Sequence, residues 1–172
     1  NAGYVTLGED IVYAFNYAVQ DGGAIYLSET TDITISGWFM GNSAGESGGS
    51  VVLNKATTAT INAVFTNYDG WYGANTFYPE QQIFDDNNAK YGGAIFISAK
   101  TDSHNASNAT ITGGAFYGIK SSVAGGAITN LGICTIRNAE FVKCSANVGG
   151  AIANAVSSLT VSAKLCISGL TI

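Results

Sequence analysis

The tetrapeptide Gly-Gly-Ala-Ile occurs four times, at Gly22-Gly23-Ala24-Ile25, Gly92-Gly93-Ala94-Ile95, Gly125-Gly126-Ala127-Ile128 and Gly149-Gly150-Ala151-Ile152, and Gly48-Gly49-Ser50-Val51 is an altered fifth copy. A second marker, Thr34-Ile35, Thr60-Ile61, Thr110-Ile111, Thr135-Ile136 and Thr160-Val161, recurs at intervals of 26, 50, 25 and 25 residues, the interval of 50 counting as two periods. Two independent markers sharing a period near 25 describe one structural unit repeated along the chain. The 172 residues are thus read as a single domain, with 1–21 an N-terminal strand and cap and 22–172 the repeats.

Inside each repeat apolar residues alternate with polar ones, as in Ile33-Thr34-Ile35 and Ala109-Thr110-Ile111-Thr112. A period of two means strands with one face inward. Twenty-five residues leave no room for a helical crossover, so strands of successive repeats must stack in parallel as a β-solenoid. About six coils follow, roughly 29 Å of rod at about 4.8 Å per coil. Thr34, Thr60, Thr110, Thr135 and Thr160 form an outward row, and the residue after each forms an inward one. Phe39, Phe65, Phe84, Phe116 and Phe141 supply a second internal stack. The paired glycines Gly22, Gly23, Gly48, Gly49, Gly92, Gly93, Gly125, Gly126, Gly149 and Gly150 mark corners, where positive φ or close approach of neighbouring chain excludes other residues. Asn42, Asn87, Asn130 and Asn154 read as structural ladders beside them. Gly73-Ala74 reads as a worn corner.

The first twenty residues carry another pattern. Ile11, Ala14, Phe15, Ala18 and Val19 fall at helical spacing after Glu9 and Asp10, which predicts an amphipathic helix over Glu9–Gln20 capping the first coil. Its far face would carry Val12, Tyr13 and Tyr17. At the other terminus Leu159-Thr160-Val161 and the residues to Ile172 continue the repeat with no cap. Val12, Tyr13, Tyr17, Leu170 and Ile172 are therefore the candidate end-to-end interface.

Charged residues make up only 11 %, with net charge −5 and Arg137 the sole arginine, so no basic stripe for nucleic acid exists. No apolar run reaches 18 residues, so this chain is not expected to insert in a membrane. The start at Asn1 without methionine fits a processed or excised piece of an extracellular or cell-surface protein. Cys134 and Cys166 fall in register with apolar residues and read as core, Cys166 matching Phe141; with Cys144 they make an odd number, so at least one thiol is unpaired. His104 is the sole histidine, which leaves no histidine-based metal cluster. No cofactor, metal site or catalytic residue is assigned. Asn105-Ala106-Ser107 and Asn108-Ala109-Thr110 are consecutive glycosylation sequons in and beside a polar insertion. Trp71, Tyr72 and Tyr78 crowd an irregular stretch and form a candidate aromatic patch for a glycan or a protein partner.

The Gly-Gly-Ala-Ile copies, with Phe39-Met40-Gly41-Asn42 and Phe84-Asp85-Asp86-Asn87, resemble the GGAI and FxxN repeats of chlamydial polymorphic outer-membrane proteins and related autotransporter passengers. That resemblance implies a right-handed parallel β-helix displayed at a cell surface, often adhesive. The N-terminal segment is similar to the capped start of pectin-lyase-like β-helices, and no C-terminal membrane barrel accompanies it here. Such folds include polysaccharide lyases and glycosidases, yet the carboxylates are poorly placed: Asp85 or Asp86 with Glu140 comes nearest to an inverting pair and is out of register, and Asp85-Asp86-Asn87-Asn88 is the one Ca²⁺ candidate. The expected function is non-enzymatic, structural or adhesive, with self-association through the solenoid ends and a host-surface or glycan ligand. A polysaccharide-active enzyme and an ice-binding Thr array are the alternatives, the array being spoiled by Arg137.

Overall fold

The computed structural model describes residues 5–29, 33–67, 88–155 and 163–169. It is all-β, with no helix among the described residues and every strand pairing parallel. The longest sheet runs β1(Val5–Leu7), β5(Ile33–Met40), β8(Thr58–Thr66), β11(Asn108–Thr112), β15(Ile133–Arg137), β18(Lys164–Ser168), with β2(Val12–Ala14), β12(Ala115–Tyr117) and β16(Glu140–Val142) joined to it. A second sheet orders β4(Ile25–Ser28), β7(Val51–Asn54), β10(Ile95–Ile97), β14(Ile128–Asn130) and β17(Ile152–Asn154). A third orders β3(Tyr17–Ala18), β6(Ser43–Ala44), β9(Asn88–Tyr91) and β13(Lys120–Ala124).

Register follows from which face is buried. Leu7, Ile35, Ile61, Ile111, Ile136 and Ile167 align strand by strand, and Thr6, Thr34, Thr60, Thr110, Thr135 and Cys166 align on the opposite face. Ile35, Ile61, Ile111 and Ile136 are wholly buried, as are Val51, Ile95 and Ile128 of the second sheet. Beside them the rings of Tyr13, Phe39, Phe65, Phe116 and Phe141 stack face to face with centroids 4.6, 4.8, 4.9 and 4.5 Å apart. Those intervals equal the strand separation, so one ring per strand fills the core without a gap.

The corner explains the glycine pairs. At Gly125 φ is +62°, and a Cβ on Gly126 would collide with the Gly150 carbonyl and with Ser145 backbone. Only glycine satisfies both positions. Four successive amides at this corner donate to the next repeat: Gly125 to Val148, Gly126 to Gly149, and both Ala127 and Ile128 to Ala151, at 2.8–3.1 Å. The corners at Gly22, Gly48 and Gly92 repeat that pattern. Asparagines close the flanks, Asn16 donating through its amide to Asn42 Oδ1 at 2.8 Å and Asn130 to Asn154 Oδ1 at 2.7 Å.

Four expectations are corrected. The segment predicted as a capping helix, Glu9–Gln20, forms β2 and β3, which hydrogen-bond to β5 and β6. Phe15, at φ +55°, turns the chain between them. Tyr13 consequently points into the ring stack rather than away from it. Thr60 and Thr110 are direct neighbours, so the interval of 50 is one repeat with long excursions. No strand lies between β7 and β10, and no ring between Phe65 and Phe116; Gly73 and Phe84, which the sequence placed there, lie outside the described residues. Finally, β18 pairs with β15 so that Leu165 meets Cys134 and Cys166 meets Thr135. Cys166 is exposed on the outward row, not in the core. Thr160 and Val161 lie outside the described residues.

Candidate functional site

Glu140 accepts a 2.6 Å hydrogen bond from the Tyr117 hydroxyl, and that bond, with burial and the carboxylate's charge, raises the Tyr117 pKa above its usual value. The two side chains stand on adjacent strands of a sheet face, and Arg137 nearby is exposed. Glu29 holds Lys55 and His104, each at 3.8 Å, and Glu46 meets Lys90 at 2.6 Å, a contact that raises the lysine's pKa. These are solvated surface pairs, worth little individually. Asp85 and Asp86 lie outside the described residues, as do Asn87, Trp71, Tyr72 and Tyr78. Among the described residues no group of three His, Cys, Asp or Glu side chains is gathered for a metal, and no helix is long and apolar enough to cross a membrane.

The three cysteines are free. Cys134 is 1 % exposed, and burial pushes its thiol up to about 12. Cys144 is half-buried, its pKa raised by burial, and its Sγ donates to the Phe116 carbonyl at 3.4 Å. Neither thiol has the electropositive setting of a reactive one.

Of the two sequons, Asn105 is exposed in the polar insertion, while Asn108 is half-buried in β11 between Thr58 and Ile133. Ser107, which completes the first sequon, is buried, its hydroxyl accepting from Thr57 N–H at 3.2 Å and lying 3.0 Å from Ser98 Oγ.

The clearest surface anomaly lies at the two ends of the repeat stack. Most central ladder residues are sealed, Tyr91 of β9 being the exception at 38 % exposed, but at the first repeat Val5, Ile11, Val12, Tyr17, Val19 and Tyr26 are exposed, Val19 at 76 %. At the last repeats Val148 and Ile167 are exposed, at 61 % and 41 %. An open depression of about 420 Å³, lined by Ala18, Val19, Gln20, Asp21 and Tyr26, sits against the first corner. Val12 and Tyr17 were named from the sequence as interface residues and are exposed here; Tyr13 is turned inward, and Leu170 and Ile172 lie outside the described residues. Val5, Tyr26 and Ile167, which the sequence reading did not name, are exposed on the first or last strand of their sheets among the described residues.

Comparison of the chain with protein-family models, with curated proteins and with solved structures finds no match.

Proposed function

We propose that the three parallel sheets are the faces of a right-handed β-solenoid of about six coils, and that the protein is a non-enzymatic, extracellular or surface-displayed structural or adhesive element that associates end to end. Right-handedness rests on the strong rule for parallel crossovers. The observation that carries the functional reading is the contrast, among the described residues, between the buried middle strands and the exposed apolar residues on the outermost ones. Unpaired parallel edges with apolar ladder residues are templates for another chain. The low charge and hydroxyl-rich faces suit contact with neutral surfaces such as glycans. The repeats' resemblance to surface passengers points the same way.

Sedimentation velocity over a wide concentration range tests the association. Weight-average mass should rise steeply toward millimolar chain, and elongated particles should be visible by negative-stain microscopy. A strictly monomeric chain at every concentration would refute it. The enzyme reading is checked on the same sample, which should release no unsaturated or reducing products from polysaccharides. Thr6, Thr34, Thr60, Thr110 and Thr135 in register favour the ice-binding alternative. Cys166 ends that row and Arg137 flanks it, so thermal hysteresis should be nil.

A further inference from the structure

At the first four corners every amide of the Gly-Gly-Ala/Ser-Ile/Val unit donates to a carbonyl of the following repeat. The fifth corner has the same sequence and, among the described residues, no following repeat. The N–H groups of Gly149, Gly150 and Ala151 find no acceptor among the described residues, and Gly149 and Gly150 are exposed. Gly150 carries a second mark. Cβ atoms on Gly23, Gly49, Gly93 and Gly126 would each collide with the carbonyl of the next repeat's second glycine, whereas among the described residues one on Gly150 would meet just the Cys144 carbonyl, at 3.5 Å. Among those residues Gly150 thus keeps an open socket for a carbonyl. At the opposite end, Asp21, Gly22 and Ala24 occupy the positions whose equivalents, Ser47, Gly48 and Ser50, accept these bonds, and they receive none from the described residues. One end presents a row of donors, and the other carries a matching row of acceptors, with Asp21 and Ala24 partly exposed and Gly22 buried.

Stacking the first corner of a second copy on the fifth corner raises a conflict that the register resolves. The corners number five levels, but the long sheet path has six strands. β18 of one copy and β1 of the next would then claim one position. The two strands are alike there: Val5-Thr6-Leu7 lies on Ile33-Thr34-Ile35, and Leu165-Cys166-Ile167 lies on Cys134-Thr135-Ile136. Both present apolar, small, apolar. β18 holds its neighbour over five residue pairs and β1 over only three, so β1 is the strand that yields.

We propose that a second copy of this chain docks head to tail, its Asp21, Gly22 and Ala24 carbonyls accepting from the Gly149–Ile152 amides while β18 replaces the incoming copy's β1 on β5. This rests on the end-to-end reading above and adds its polarity and a strand exchange.

Two full-length variants should move association in opposite directions. Gly150→Val fills the socket and should weaken association at least tenfold by sedimentation, with an unchanged unfolding midpoint for the dilute monomer. Leu7→Asp expels β1 from the apolar edge and should strengthen association about tenfold. Should Gly150→Val destabilise the monomer, Gly150→Ala, with a single methyl in the socket, takes its place. Hydrogen exchange supplies a readout independent of mutation: the Gly149, Gly150 and Ala151 amides should exchange freely in dilute chain and be protected in the assembly. If wild type associates but Gly150→Val and Gly150→Ala associate equally well and these amides stay unprotected, the corner docking is wrong while end-to-end association stands. If Leu7→Asp weakens association, the strand exchange is wrong. A wild type that stays monomeric overturns both this pairing and the reading beneath it.

Discussion

The corners at Gly125-Gly126 and Gly149-Gly150 have one sequence and one backbone turn, with φ +62° at the leading glycine of each. They differ in what lies next to them. Gly126 is buried against the backbone of Gly150 and Ser145, while Gly150 is exposed and meets nothing nearer than Cys144 among the described residues. In a chain of equivalent repeats, a residue's energetic weight is therefore set by the neighbour above it rather than by its own identity. The same contrast separates Phe116, held between two rings, from Tyr13 at the end of the stack, and buried Cys134 from exposed Cys166.

The largest effect should come from breaking the central corner. Gly126→Val forces a branched side chain into backbone and should cost about 5 kcal/mol or more, whereas Gly150→Val should leave chemical denaturation of the monomer nearly unchanged. Equal losses at the two positions would show that backbone conformation, and not the neighbouring repeat, dictates the glycines. Next comes the ring column. Phe116→Ala opens a cavity between two stacked rings and should cost about 4 kcal/mol; Tyr13→Ala, with one ring face to lose, should cost about 2 kcal/mol. Calorimetry or urea unfolding compares them directly.

The smallest effect is a pH dependence. Burial opposes the thiolate and pushes the Cys134 thiol up to about 12 in the folded chain, against 9.0 for a thiol in water. A folded pKa above the unfolded one gives stability that is complete below pH 9 and drains away as pH rises toward 12. By pH 11 the loss is roughly 3 kcal/mol. Cys134→Ala, matching Ala59 and Ala109 in the same row, should lack this component, so the two proteins' stability curves should converge as pH rises. Parallel curves would mean that solvent reaches the thiol. Thiol labelling near neutral pH sharpens the contrast, with Cys166 modified at once and Cys134 only on unfolding.

Much of this architecture was legible because the markers sit where chemistry allows little choice. Gly-Gly at a corner, Thr-Ile across a strand and Phe in the column each answer a local steric demand that recurs every repeat. The errors share one cause, which is that sequence distance is not spatial distance. Ile11, Ala14, Phe15, Ala18 and Val19 look helical because the turn at Phe15 resets strand alternation between β2 and β3, producing three- and four-residue intervals. Hydrogen bonds to β5 and β6 then decide the conformation, and no local pattern encodes those partners. Thr60 to Thr110 spans 50 residues and Thr135 to Cys166 spans 31, yet each pair is adjacent. Loops absorb the difference. Of the candidate interface, Val12 and Tyr17 are exposed although the helix whose far face was to carry them is replaced by strands, and the same replacement turns Tyr13 inward.

The corner amides have an electrical consequence. In the strands, peptide dipoles alternate and largely cancel. At the corners they do not: four N–H groups at each of four successive levels all point toward the later repeats. With roughly 3.5 D per peptide unit, these groups add along the axis much as they do in a helix. The corner edge is thus a polar column, slightly positive at Gly149–Ile152 and slightly negative at Asp21–Ala24, where the Asp21 carboxylate adds to the sign. Two such molecules approaching end-on attract in one relative orientation and repel in the other two, and added salt, by screening the field, should blunt that preference.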